Sequence, residues 1–159
     1  MEQVAALVRE ALWFVLPAYF ANAAPVVLGG GPPLDGGRTW RDGKPLLGSN
    51  KTLRGFISGV LVGTLVGAAQ GRTLAGFLMG LGSMLGDAMG SFIKRRLDLK
   101  PGDQAPGLDQ LGFLLVALML VYPMERPDSD VLLTAVLITP LVHVATNAVA
   151  VLLGLKRWL

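Results

Sequence analysis

Five apolar stretches, at about 11 to 30, 55 to 71, 73 to 92, 111 to 124 and 131 to 155, dominate this chain of 159 residues, and Gly, Pro and charged residues separate them. A helix rises ~1.5 Å per residue, so roughly 20 apolar residues cross ~30 Å of hydrocarbon. Lipid cannot satisfy backbone N–H and C=O groups, which restricts a spanning chain to helices or a closed barrel, and stretches of this length select helices. The expected fold is all-α: a polytopic integral membrane protein with five transmembrane helices and two long cytoplasmic loops, forming one domain over residues 1–159. Composition agrees, with 52% apolar and 16% charged residues. The absence of Cys removes disulfides, thiolate catalysis and iron–sulfur clusters, and the single His (His143) cannot build a multi-histidine metal site.

Orientation follows from the loops. Residues 31 to 54 carry Arg38, Arg41, Lys44, Lys51 and Arg54, residues 93 to 110 carry Lys94, Arg95, Arg96 and Lys100, and the tail carries Lys156 and Arg157. Five spans put these eleven cations on one side, against Arg72 and Arg126 in the two short opposite turns. The positive-inside rule then places the long loops and the C-terminus in the cytoplasm and the N-terminus outside, in a multi-pass protein of the cell membrane. The net charge of +3 therefore reads as orientation and loop chemistry, with no nucleic-acid partner. Ala21-Asn22-Ala23 could end a signal peptide, but apolar sequence continues through Leu28 and favours a retained helix.

Span two has Gly at 55, 59, 63, 67 and 71, and span three repeats the spacing at Gly82, Gly86 and Gly90. Such a face lets another backbone approach closely, either within the chain or across a homodimer. Asp87 lies toward the end of span three, where an ionisable group marks a functional site by default. Asp87, Ser91, Lys94 and Arg95 share one helical stripe, which an intrahelical ion pair would also explain. In span five Pro140, His143 and Asn147 share a face that either lines a polar cavity or bonds to neighbouring helices.

The loop from Lys94 to Gln110 holds four cations and three carboxylates in seventeen residues. That mixture suits a metal–nucleotide polyanion: Mg²⁺ takes a few carboxylates with phosphate oxygens and water, while Lys94, Arg95, Arg96 and Lys100 neutralise phosphate. Pro101-Gly102 and Pro106-Gly107 are turns able to carry Asp109 back toward Asp87. The loop before span two offers Lys44, Ser49, Asn50, Lys51, Thr52 and Arg54 as phosphate donors near a helix N-terminus. It lacks the G-x-x-x-x-G-K-[ST] spacing of a P-loop NTPase.

Gly86-Asp87-x-x-x-Ser91-x-x-Lys94-Arg95, followed by Lys100-Pro101-Gly102-Asp103 and Pro106-Gly107-Leu108-Asp109-Gln110, resembles the signature of the CTP-dependent phosphatidate cytidylyltransferases. Lys51-Thr52-Leu53-Arg54-Gly55 is similar to their Lys-Thr-Trp-Glu-Gly element. The run from Asp35-Gly36-Gly37-Arg38 through Asp42-Gly43-Lys44-Pro45-Leu46 looks more specifically like the archaeal branch, the CDP-archaeol synthases. The resemblance implies Asp87 and Asp109 as ligands of Mg²⁺ and, with Lys94 and Arg95, as the catalytic set. Ser91, Arg96, Lys100, Asp103 and Gln110 join the first loop in binding CTP and the lipid phosphate. Where the wider family ends Asp-Arg-x-Asp, this chain has Asp109-Gln110-Leu111-Gly112, so Asp103 replaces the last ligand or the site has one fewer.

The implied reaction joins 2,3-bis-O-geranylgeranyl-glycerol 1-phosphate to CTP, releasing pyrophosphate and giving a CDP-activated lipid at the bilayer. A phosphate monoester is already an anionic nucleophile, so positioning and charge neutralisation suffice without a protein base. The competing expectations are an ester-lipid phosphatidate cytidylyltransferase and a small carrier coupled through Asp87.

Overall fold

The computed structural model describes residues 1–154, so Lys156 and Arg157 of the tail lie outside the described residues. Five helices follow in order: α1 (Glu2–Leu28), α2 (Leu53–Ala69), α3 (Thr73–Arg96), α4 (Leu108–Val121) and α5 (Ser129–Leu152). Each expected apolar stretch falls in its own helix. Three of them, α1, α3 and α5, are long and apolar enough to cross a membrane. The other two, α2 and α4, have 17 and 14 residues, or about 25 and 21 Å of helix. Helix α1 is part of the core: Ala11, Val15, Ala18 and Ala21 are fully buried, and Ser83 Oγ donates to the Ala18 carbonyl at 3.2 Å.

The glycine faces explain the packing. Gly55, Gly59, Gly63 and Gly67 are the buried residues of α2, which lies against both α1 and α3. A Cβ at Gly63 would sit 2.8 Å from the Cα of Gly80 on α3 and 3.2 Å from the Pro17 carbonyl oxygen on α1. On its other side α3 meets α4 the same way, where a Cβ at Gly82 would lie 2.5 Å from the Cα of Ala117. Backbone-to-backbone approach lets dispersion act over the whole helix length where lipid removes the usual hydrophobic drive. The ridge of α2 is thus occupied within the chain.

These pairings also fix heights along the bundle. Helix α2 begins beside Met84 and Asp87 of α3, and Leu108 at the start of α4 lies against Gly90. The last turns of α3, from Ser91 to Arg96, therefore extend beyond both short neighbours. The two long loops fill the space left around them.

Candidate active site at the loop end of the bundle

The first loop folds on itself before it meets anything else. Leu34 N donates to the Lys51 carbonyl at 2.7 Å, Leu46 N to Arg38 at 2.8 Å and Trp40 N to Lys44 at 2.8 Å, giving a narrow hairpin without a regular strand. Asp35 anchors its two arms: Oδ1 accepts from Gly37 N at 2.9 Å and Oδ2 from Leu47 N at 2.8 Å. Burial pushes the Asp35 carboxyl upward, but the backbone N–H groups of Leu47, Gly37 and Gly48 outweigh it and hold it below its ordinary value. The second loop is tied by Asp103, whose carboxylate accepts from Lys100 N at 2.6 Å.

The end of α3 then binds the loops together. Arg96 pairs with Asp42 at 2.7 Å, donates to the Pro45 carbonyl at 2.6 Å and lies 4.7 Å over the Phe92 ring. Phe92 in turn meets Trp40 edge to face at 5.4 Å. Lys44 reaches Asp98 at 2.6 Å and the Arg96 carbonyl at 3.3 Å. Arg95 is only 4% exposed, donates to the Lys100 carbonyl at 3.0 Å and lies close to Gly48, so it sits between the two loops. Its Nε is buried with no hydrogen-bond partner, leaving a cationic donor available within this polar layer.

Two lysine–aspartate pairs lie at the heart of the layer. Lys51 Nζ donates to Asp87 Oδ2 at 2.5 Å, with side chains 26% and 32% exposed, beside a cavity of about 70 Å³ that Asn50 and Thr52 also line. Lys94 Nζ donates to both oxygens of Asp109, at 2.8 and 3.0 Å, and to the Asp103 carbonyl at 2.7 Å. The pairing corrects one sequence expectation. Asp87 is not the ion-pair partner of Lys94 along one helical stripe, because the loop before α2 brings Lys51 to it. The Pro-Gly turns carry Asp109 back to Lys94 on α3.

Other expected site residues have defined local duties. Thr52 Oγ1 caps α2, accepting from Gly55 N at 3.1 Å and also from Gly30 N at 3.1 Å. Arg54 grips the end of α1 through the Leu28 carbonyl at 3.0 Å and the Gly29 carbonyl at 2.9 Å, where its charge complements the helix dipole. Gln110 Oε1 accepts from Gly107 N at 3.4 Å at the start of α4. Ser91 is buried, whereas Ser49, Asn50 and Lys100 are exposed on the loops.

The chain matches the family model described as CarS-like, CDP-archaeol synthase, over residues 4–158. Its relatives include the CDP-archaeol synthases of Thermococcus gammatolerans, 52% identical with 92% of each chain covered, and of Pyrococcus furiosus, 49% identical with 90% of this chain and 92% of that one covered. The chain belongs to the CDP-archaeol synthase family. A solved structure, described as that of an intramembrane enzyme for archaeal membrane lipid biosynthesis, superposes with a TM-score of 0.77 at 39% identity, covering 89% of this chain and 94% of that one. An all-helical membrane bundle is therefore the architecture of this CDP-archaeol synthase family member.

Mg²⁺ is the cation that the family resemblance implies, and the donor set can be tested against it. No group of three His, Asp or Glu side chains is gathered among the described residues. Asp87 and Asp109 each offer carboxylate oxygens beside cations, which fits an ion held jointly by the protein, phosphate oxygens and water rather than a closed protein cage. Sequence reasoning missed Asp35, Asp42, Asp98 and Trp40, which organise the loops. Asp35 carried a local signal, an Asp followed by two Gly in a turn. Asp42 carried a similar signal, being followed by Gly43, and its Oδ1 accepts from Lys44 N at 3.0 Å, but its pairing with Arg96, like that of Asp98 with Lys44, joins distant parts of the chain.

Proposed function

We propose that the protein is a CTP-dependent cytidylyltransferase that converts 2,3-bis-O-geranylgeranyl-glycerol 1-phosphate into CDP-archaeol and pyrophosphate. The observation that carries this reading is the pair of lysine–carboxylate contacts, Lys51 with Asp87 and Lys94 with Asp109, in a polar layer built at the loop end of an otherwise apolar bundle. The lipid phosphate oxygen attacks the α-phosphorus of CTP, the bond from that phosphorus to the β-phosphate bridging oxygen breaks, and pyrophosphate leaves. Neither proton transfer by the protein nor a covalent intermediate is needed, which suits a chain without Cys.

Lys51 and Lys94 bind and orient the phosphates, Arg95 adds charge from between the loops, and Lys44, Arg96 and Lys100 hold the layer positive. Asp87 and Asp109 would hold Mg²⁺, which when bound supplies charge neutralisation on the phosphates. Each carboxylate is matched by a lysine, so carboxylate oxygens and phosphate-binding cations lie side by side. The loops face the cytoplasm, where CTP is found, and the N-terminus faces outward.

The decisive experiment is pyrophosphate release by the detergent-purified protein, given each of the four ribonucleoside triphosphates with ether- and ester-linked lipid phosphates. Release with CTP and the geranylgeranyl ether is the expected result. Release with the ester lipid alone would make the protein a phosphatidate cytidylyltransferase, and no release with any pair would end the reading.

A further inference from the structure

Helix α5 is packed into the bundle for only half its length. Its buried residues are Val131, Ala135 and Thr139, one per turn, and the series stops at Pro140. A proline inside a helix removes one backbone hydrogen bond and crowds the preceding turn, so helices bend or part from their neighbours there. Beyond it lies a cavity of about 220 Å³ between α1, α4 and the second half of α5. On that measure a single water needs only ~10–15 Å³, so the space suits a length of chain rather than one solvent molecule.

The walls are mainly apolar, with Ala23, Phe113, Val142 and Ala150, but Asn22 and the expected face of His143 and Asn147 also line the cavity. At one end the Tyr19 and Thr139 hydroxyls bond each other at 2.7 Å, and Thr139 also donates to the Ala135 carbonyl at 2.5 Å, so these groups are satisfied without a ligand. Phe113, whose ring lies 6.2 Å from that of Tyr19, faces the cavity one turn along α4 from Asp109, which bonds Lys94. From there the cavity runs along α1 and α5 to Val27 and Leu153. An apolar cleft that opens between helices and leads to a phosphate-binding cation has the form of a site for an amphiphile with an anionic head.

We propose that this cleft takes one hydrocarbon chain of the lipid phosphate, with the phosphate at the Lys94 end. The inference rests on the cytidylyltransferase reading and adds the path of the lipid to it. The Lys51–Asp87 cavity lies on another side of α1, lined by Pro25 and Gly29 where the cleft has Ala23 and Val26. Nucleotide and lipid chain therefore approach along different faces of α1.

Two variants from different helices, Ala23→Phe and Ala150→Phe, fill the cleft without altering charge. Each should raise KM for the geranylgeranyl lipid phosphate roughly tenfold or more, the scale on which an apolar pocket responds to small changes in fit. The KM for CTP and the turnover of a short-chain ether analogue should stay as in the unaltered protein, as should all three parameters for Leu65→Phe, an exposed α2 position. Unchanged long-chain KM in both cleft variants overturns the proposal, while absence of turnover in the unaltered protein with either lipid overturns the functional reading instead. Should the variants fail to fold, the unaltered protein decides the matter with a lipid phosphate carrying a diazirine in its chain. Labelled peptides from α1 and α5, suppressed by unlabelled lipid phosphate but not by a diether lacking phosphate, support the cleft. Labelling confined to α2 and α3, or insensitive to that competition, refutes it.

Discussion

At the scale of single residues, the polar layer is an arrangement of charges that satisfy one another. Breaking a half-buried ion pair by removing one partner leaves an uncompensated charge, so stability and turnover must be measured together. Asp87→Asn and Asp109→Asn should each lower turnover by orders of magnitude while the protein stays folded, and the double variant should be scarcely worse than either alone, because residues acting as one unit are not additive. Turnover measured across Mg²⁺ concentrations, alongside thermal unfolding in detergent, checks this; full activity of Asp87→Asn would remove the carboxylate from the mechanism. Lys51→Ala should lose activity equally with CTP and dCTP, since its charge acts on phosphate; a loss confined to one sugar would contradict that role. Asp35 gives a pH prediction. Its folded carboxyl titrates below 3.8, so its stabilising contribution is complete above that value and fades as pH falls through the lower folded one. Hydrogen exchange at Leu47 N–H should be slower in the native protein than in Asp35→Asn at neutral pH, and the difference should vanish in acid. A difference that persists there would mean that charge is not what holds the hairpin.

At the scale of helices, most of what the sequence foretold came from periodicity. A glycine every fourth residue of α2 can only mean one bare face, and that face does meet α1 and α3. Helix ends were harder to read. Tyr122 and Pro123 continue the apolar run past α4, yet the helix ends at Val121, and the shortness that lets the loops surround the end of α3 is visible only when α4 is seen beside Gly86 and Gly90. The ion pairs were opaque for a related reason: Lys51 with Asp87 and Arg96 with Asp42 join residues far apart in sequence, so helix spacing offered the wrong partner, Lys94, for Asp87. The glycine faces can be tested directly. Gly67→Val would drive a side chain into the Gly76 backbone on α3. Overpacking typically costs about 1–3 kcal/mol, and where backbone must move the loss should reach the upper end of that range or prevent folding. Leu65→Ala, on the exposed face of the same helix, should change thermal stability little. Equal stability of the two variants would show that α2 does not depend on backbone contact.

For the molecule as a whole, the asymmetry between its ends constrains how it sits in a bilayer. One end carries the two woven loops with nine cations among residues 38–100 outside Arg72. The opposite end has two tight turns, where Arg72 grips Glu125 while lying 4.8 Å over the Phe14 ring and Gln70 Nε2 donates to the Trp13 carbonyl at 2.7 Å. With α2 and α4 too short for the full hydrocarbon thickness, the polar layer must lie near the depth of the headgroups, where a lipid phosphate and a soluble nucleotide can meet without either leaving its own phase. This geometry works only if the loops face the compartment that holds CTP. The chain has no Cys, so an introduced thiol reports its side without interference. Ser49 and Ser129 are both exposed, the first on the hairpin loop and the second at the start of α5. In intact cells an impermeant maleimide should label Ser129→Cys and spare Ser49→Cys; in inverted vesicles the pattern should exchange. The opposite pattern in both preparations would place the Lys51–Asp87 and Lys94–Asp109 pairs outside the cell, away from CTP, and the cytidylyltransferase site would have to be sought elsewhere in the chain.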